Sequence, residues 1–209
     1  MLEFQQVKDI VAIETLIALL RQRVGSTISY VNLARDLGVD PTTVKRWLML
    51  LENLYVIFQV SPYSKRLSRV IRKEPKYYFY DVVLPESDHG AKLENLVACS
   101  LLKELHRLED REGVRTQLHF LRTKDGHELD FLIVVDNKPL LGIEVKWADN
   151  SPQKSATYFL RRMPGLPIVQ LVHLLDRPYQ TPTGVSVVKA QTWLQSLDLE
   201  TYHTRVLAV

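Results

Sequence analysis

Apolar residues recur at helical spacing from residue 7 to residue 24, where Ile10, Ile13, Ile17 and Leu20 form a stripe, and this predicts an opening helix. A short helix is expected next, from Ser29 as N-cap through Leu33, Ala34 and Leu37 to a stop at Gly38. Asp40-Pro41 opens a third helix, because aspartate offers a capping oxygen and proline suits the first turn. Val44, Trp47, Leu48 and Leu51 make its buried face. The pattern then changes to β-branched and aromatic residues at 55–60 and 76–80, which read as two strands. Helix, tight Gly-Val turn, helix and two strands together predict a winged helix-turn-helix.

Beyond residue 85 the periodicity predicts a second domain. Residues 90–108 form an amphipathic helix with Leu93, Leu96, Val97, Leu101, Leu105 and Leu108 on one stripe. Strands follow at 117–122, 128–135 and 140–147, the last two broken apart by Asn137, Lys138 and Pro139. A helix at 151–163, strands at 167–174 and 184–189, and a short helix at 192–197 complete the pattern. The chain is thus expected to be of α/β (α+β) class, with residues 1–85 a winged helix and residues 86–209 an αβββαβ core on a mixed central sheet.

Composition narrows the class. A hydrophobic content of 46% can fill a core and argues against disorder. The single cysteine, Cys99, excludes an intrachain disulfide framework and suits a reducing cytoplasm. The apolar stretch around residues 10–20 is interrupted by Glu14 and Thr15, so no leader peptide or membrane span is expected.

A net charge of +3 is too small to imply a nucleic-acid partner, so local charge must decide. Residues 61–80 carry six bases, Lys65, Arg66, Arg69, Arg72, Lys73 and Lys76, against one acid, Glu74. The first five lie on the expected loop between the two wing strands. Thr42, Thr43, Lys45 and Arg46 sit where a recognition helix would meet a DNA groove, and the basic loop would touch phosphates. The alternative is a packing module with a solvated charged loop that makes protein contacts only.

The strands of the second domain carry unexpected charge. Strict alternation puts Glu128 and Asp130 on one face, puts Glu144 and Lys146 on one face, and turns Ile143 and Val145 into the core. Charged side chains on otherwise apolar strands carry a large desolvation cost unless something compensates them. A divalent metal is one candidate and a nucleic-acid phosphate another.

The order αβββαβ, with Glu94 on the first helix, Asp130 on the second strand and Glu144-Val145-Lys146 on the third, resembles the PD-(D/E)XK nuclease superfamily of restriction-endonuclease-like fold. Thirteen residues separate Asp130 from Glu144, a spacing within that superfamily's habit. Three segments narrow the likeness: Lys76-Tyr77-Tyr78-Phe79-Tyr80-Asp81, Gly90-Ala91-Lys92-Leu93-Glu94-Asn95-Leu96, and His127-Glu128-Leu129-Asp130-Phe131. They are similar to the C-terminal part of bacterial and archaeal AAA-type ATPases, which carry a winged helix and a nuclease-like domain of unknown function after the ATPase domain. No phosphate-binding loop of the form G-x-x-x-x-G-K-S/T occurs, so ATP hydrolysis is not assigned to this chain.

The resemblance implies a Mg²⁺- or Mn²⁺-dependent DNA nuclease. Asp130, Glu144 and the Val145 carbonyl would hold the metal, with Glu94 binding a second ion or acting through water. Lys146 would orient or deprotonate the attacking water, or stabilise charge on the phosphoryl group. Partners implied are DNA and an AAA-type ATPase domain or another protein. A lone E-x-K is common and Glu144 and Lys146 could simply pair. Folds of this kind also lose catalysis while keeping their shape, which leaves a non-catalytic nucleic-acid- or protein-binding module as the alternative. A transcription regulator with an α/β sensor domain is a weaker reading.

Other residues carry less. Glu128 ranks below Asp130 as a ligand. His119, His127 and His173 match no zinc spacing and read as structural. Arg122 and Lys124 could grip phosphate or sit on a solvated hairpin. Gln153 and Tyr158 are one residue too far apart for the Gln-x-x-x-Tyr pair of some nucleases. Trp147 reads as packing rather than base stacking, and Cys99 as a buried helix residue.

Overall fold

The computed structural model describes residues 2–64, 74–148 and 154–207. It is a mixed α/β protein that divides into two compact units, Met1–Val60 with Glu74–Asn95, and Ser61–Lys73 with Leu96–Val209.

The first unit begins with α1 (Leu2–Arg21), α2 (Tyr30–Leu37) and α3 (Pro41–Asn53). Gly38 ends α2 in the left-handed region at φ 66°, and its N–H reaches back to the Ala34 and Arg35 carbonyls. Asp40 caps α3: its carboxylate accepts from the Thr42 amide at 2.8 Å and the Thr42 hydroxyl at 2.6 Å. Leu33, Ala34, Val44, Trp47, Leu48 and Leu51 are buried, as the periodicity requires. On α1 the buried seam is Leu16 and Leu20, whereas Ile10 is exposed. The seam is rotated from the expected stripe by about one residue, running through Leu16 rather than Ile17, and Leu20 belongs to both.

The chain then forms an antiparallel pair from β1 (Ile57–Pro62) and β2 (Lys76–Phe79), in register from Ile57 opposite Phe79 to Val60 opposite Lys76. Helix α4 (His89–Glu112) gives its opening turns, through Asn95, to this unit. The Asn95 side chain clasps β2 by accepting from Phe79 N at 2.8 Å and donating to Phe79 O at 3.0 Å.

The second unit holds the rest of α4, then β3 (Thr116–Arg122), β4 (Glu128–Val135), β5 (Lys138–Lys146), α5 (Lys154–Arg162) and β6 (Ile168–Val172). After these come β7 (Tyr179–Gln180), β8 (Ser186–Lys189), α6 (Ala190–Gln195) and α7 (Leu199–Leu207). From α4 to β6 the order is α-β-β-β-α-β, as the periodicity predicts. Ser61 and Pro62 pair in parallel with β3, and β3, β4 and β5 run antiparallel in sequence. β5, β6 and β8 are mutually parallel neighbours, and β7 closes the edge antiparallel to β8.

One sheet face is covered by α5. Leu129, Leu132, Val134, Ile168, Val172 and Val187 from the strands pack with Ala156 and Phe159 from that helix. On α4, Val97, Leu101, Leu105 and Leu108 are buried but Leu96 is exposed, because it lies about 100° round the helix from Val97. β7 and α7 carry no clear sequence signal. α7 instead starts where Glu104 accepts from Leu199 N at 3.3 Å and Arg107 bonds Asp198 at 2.7 Å.

Candidate functional site

The centre of the second unit depends on an irregularity in β4. Against β3, His119 pairs with Leu132 and Leu121 with Leu129, so β4 spends one residue more than β3 over that stretch. Asp130 and Phe131 therefore share the place opposite Phe120, a β-bulge. Plain alternation would put Leu129 and Leu132 on opposite faces. The bulge returns them to the same face, where Leu132 pairs with Gly142 and a Cβ on Gly142 would come within 2.7 Å of Leu129 Cδ2.

The bulge re-aims Asp130. The β4–β5 ladder ends at Phe131 opposite Ile143, and Asp130 and Glu144 are the next residues on each strand. The Asp130 carboxylate replaces a backbone acceptor there, taking a hydrogen bond from the Val145 amide at 2.8 Å. Glu144 is 4% exposed, and its Oε1 receives the Lys146 ammonium at 2.8 Å. Glu144 and Lys146 do share a face, while Ile143 and Val145 are buried on the other. Asp130, Glu144 and Lys146 are thus brought together at the end of the paired strands.

Gln170 was not singled out from the sequence. It is fully buried on β6 and stands in parallel register with Glu144. A lone amide inside the apolar run Ile168–Val172 was the available signal.

Glu94 belongs to the first unit and has other work there. Its Oε1 accepts from the Tyr78 hydroxyl at 2.6 Å and pairs with Lys76 at 3.3 Å. The Lys76 side chain is 2% exposed, so this is a buried ion pair. Gly25, at φ 76°, lies so close that a Cβ would stand 2.7 Å from Glu94 Oε2.

Thr42, Lys45 and Arg46 are exposed on α3 and Thr43 is half-buried. The Thr42 hydroxyl is committed to capping, which holds the Asp40 carboxyl below its ordinary range. Lys45 lies 5.2 Å from the Tyr30 ring centroid. Tyr30 and Tyr77 share a hydroxyl contact at 3.1 Å, and burial pushes the acidity of both phenols upward in pKa. Lys65, Arg66, Arg69, Arg72 and Lys73 lie outside the described residues, as does Gln153.

The histidines have structural partners. His119 Nδ1 is 3.2 Å from the Ser61 carbonyl, and burial pulls its pKa down. His127 stacks on Tyr158 at 4.1 Å and His173 on Trp147 at 4.0 Å. Arg122 pairs with Glu128 at 3.7 Å. Cys99 is half-buried rather than fully enclosed.

Among the described residues, no set of three histidine, cysteine, aspartate or glutamate side chains is arranged to hold a metal ion. Two carboxylates, Asp130 and Glu144, carried by the two residues that follow the last β4–β5 pair, still offer hard oxygen donors. Mg²⁺ is commonly held by only one or two carboxylates, with waters and substrate phosphate completing its shell, so this donor chemistry fits it.

No helix among the described residues is long and apolar enough to cross a membrane. No solved structure matches the chain. Uncharacterized proteins from Mycobacterium tuberculosis and Mycobacterium bovis are each 29% identical over 128 residues, covering 58% of this chain and 29% of their own length. The chain thus spans less than a third of these curated relatives. A model for one domain of unknown function, DUF8612, matches residues 1–87, and that for a second, DUF4143, matches residues 89–193. With the latter spanning half of its length, the chain belongs to the DUF4143 family.

Proposed function

We propose that the second unit is a phosphodiester-hydrolysing site of the PD-(D/E)XK nuclease kind, acting on DNA with Mg²⁺ or Mn²⁺. In this reading the first unit is a winged-helix module that engages the duplex through α3, and the chain works as the C-terminal part, or a relative, of an AAA-type ATPase. The observation that supports it best is the Asp130 carboxylate held against the Val145 amide, beside Glu144 and Lys146 at the end of the β4–β5 ladder.

A bound divalent cation would supply charge neutralisation on the phosphoryl oxygens and a more acidic water. Asp130, Glu144 and the Val145 carbonyl would hold it. The bond from Val145 N fixes Asp130 Oδ2, so the carboxylate does not have to be ordered when ligand arrives. Lys146 is held by Glu144 and keeps partial access to solvent, at 30% side-chain exposure. From there its ammonium can orient a water and share charge with a phosphate oxygen.

The test is incubation of the purified chain with single-stranded, duplex and branched DNA plus Mg²⁺ or Mn²⁺. Cleavage that disappears in Asp130→Ala and Lys146→Ala supports the reading, and equal cleavage by these variants overturns it. A second reading, a non-catalytic module that places an ATPase on DNA or on a protein, is favoured by the Glu144–Lys146 pair and by Glu94 being engaged with Lys76 and Tyr78. Retention of DNA with no cleavage by the parent chain, and no thermal stabilisation by divalent metal, would establish it.

A further inference from the structure

Helix α5 carries two different faces. Ala156 and Phe159 are buried against the sheet, on the face that also bears Glu144 and Lys146. Lys154, Thr157, Tyr158, Arg161 and Arg162 follow one another at spacings of three and one, which places them on a single stripe of the helix. With His127, from the turn leading into β4, these residues line a cavity of about 480 Å³. Among the described residues, the lining contains three basic side chains and no acid. The nearest carboxylate along the chain, Glu128, is engaged by Arg122 at 3.7 Å, and the Glu128 amide is tied to α5 by the Ser155 hydroxyl at 3.2 Å.

One of the three cations, Arg162, lies against an aromatic stack. The His127 ring lies 4.1 Å from Tyr158 at 15° between planes, and the Arg162 guanidinium lies 5.0 Å from the same ring. A guanidinium held over a ring loses less freedom on binding an anion than one on a bare stem. From Lys154 to Arg162 the stripe runs about 12 Å along the helix axis, too long for one phosphate and suited to a chain of them.

We propose that this stripe is a phosphodiester-binding surface that seats a nucleic-acid strand beside Asp130, Glu144 and Lys146. The inference rests on the nucleic-acid reading of the site but not on its catalysis. The occupant is a polynucleotide rather than a mononucleotide, because the cations form a row. Arg161 and Arg162 grip backbone oxygens, Lys154 adds charge at the helix start, and the His127–Tyr158 stack offers a flat surface against which a base can lie.

Fluorescence anisotropy of the full chain with labelled single-stranded and duplex DNA tests this, over a salt series and without divalent metal. The double variant Arg161→Ala/Arg162→Ala removes two exposed side chains, and its unfolding midpoint is expected to match the parent's. Its affinity should fall about tenfold, and the slope of log K against log salt should flatten by about 1.4 for a single strand. Lys138→Ala, which removes an exposed charge at the start of β5 outside the stripe and the site, should bind within about twofold of the parent. Unchanged affinity and slope in the double variant overturn the proposal, as does a parent chain that binds neither DNA form. Equally tight competition by poly-glutamate would mark a general acidic-partner surface and overturn it too. Binding that behaves as expected in a chain that never cleaves DNA would sink the catalytic reading alone.

Discussion

The Asp130 carboxylate accepts from the Val145 amide at 2.8 Å, and this bond joins β4 to β5 just past the last backbone pair, Phe131 with Ile143. An asparagine can accept the same bond through its amide oxygen but cannot neutralise a cation. Asp130→Asn is therefore expected to keep the unfolding midpoint close to the parent's, while Asp130→Ala costs about 1 kcal/mol. Both should lose any cleavage and any thermal stabilisation by Mg²⁺. Urea unfolding, with melting curves with and without metal, separates the two roles of this carboxylate.

The pair formed by Lys76 and Glu94 is enclosed, with Lys76 2% exposed. Removing one partner leaves a buried charge with less compensation. Lys76→Met is expected to destabilise the chain by about 3 kcal/mol, and adding Glu94→Gln should recover part of that loss. Denaturant midpoints of the two single variants and the double variant read the coupling directly. A Glu94 whose main task was to bind metal would show little coupling to Lys76.

Gly142 is the partner of Leu132, and an added Cβ would meet Leu129 Cδ2 at 2.7 Å and Ile168 Cγ1 at 3.2 Å. Leu129 is fully buried and has nowhere to retreat. Gly142→Ala should cost about 1–3 kcal/mol by overpacking. Gly142→Ala combined with Leu129→Ala should be less harmful than the two single losses added together. Chemical denaturation of the set measures this.

His119 gives a pH signature. Burial lowers its folded pKa below the ordinary 6.5, outweighing the opposing effect of its bond to Ser61 O. The unfolded chain therefore takes up this proton at higher pH than the folded chain. The histidine's contribution is complete above about pH 6.5 and is lost as pH falls from there through the depressed folded value. Urea midpoints between pH 7.5 and pH 5 should decline, and His119→Gln should flatten that decline.

Much of the first unit was legible because its signals are local. Gly38 needs a left-handed backbone and Asp40-Pro41 starts a helix, so α2 and α3 follow from a few residues. The ordered trio Asp130, Glu144 and Lys146 was legible because charge on an apolar strand stands out. The bulge was not. After Asp130 every residue through Val135 is apolar, and such a run does not reveal where alternation changes phase. The burial of Lys76 was not legible because its partner Glu94 stands 18 positions away on a helix, a long-range contact with no local trace. The stripe on α5 was also missed: Lys154, Arg161 and Arg162 are ordinary surface residues until His127 arrives from another segment.

The extra residue in β4 is one the hydrophobic interior does not need. A chain one residue shorter at this point would place Leu129 and Leu132 two positions apart, and plain alternation would then keep both turned toward α5. Deletion would thus remove the acid and spare the interior. Descendants that abandon the chemistry of Asp130 are free to lose the residue outright and straighten the strand, so an insertion kept here marks a carboxylate kept for what it does.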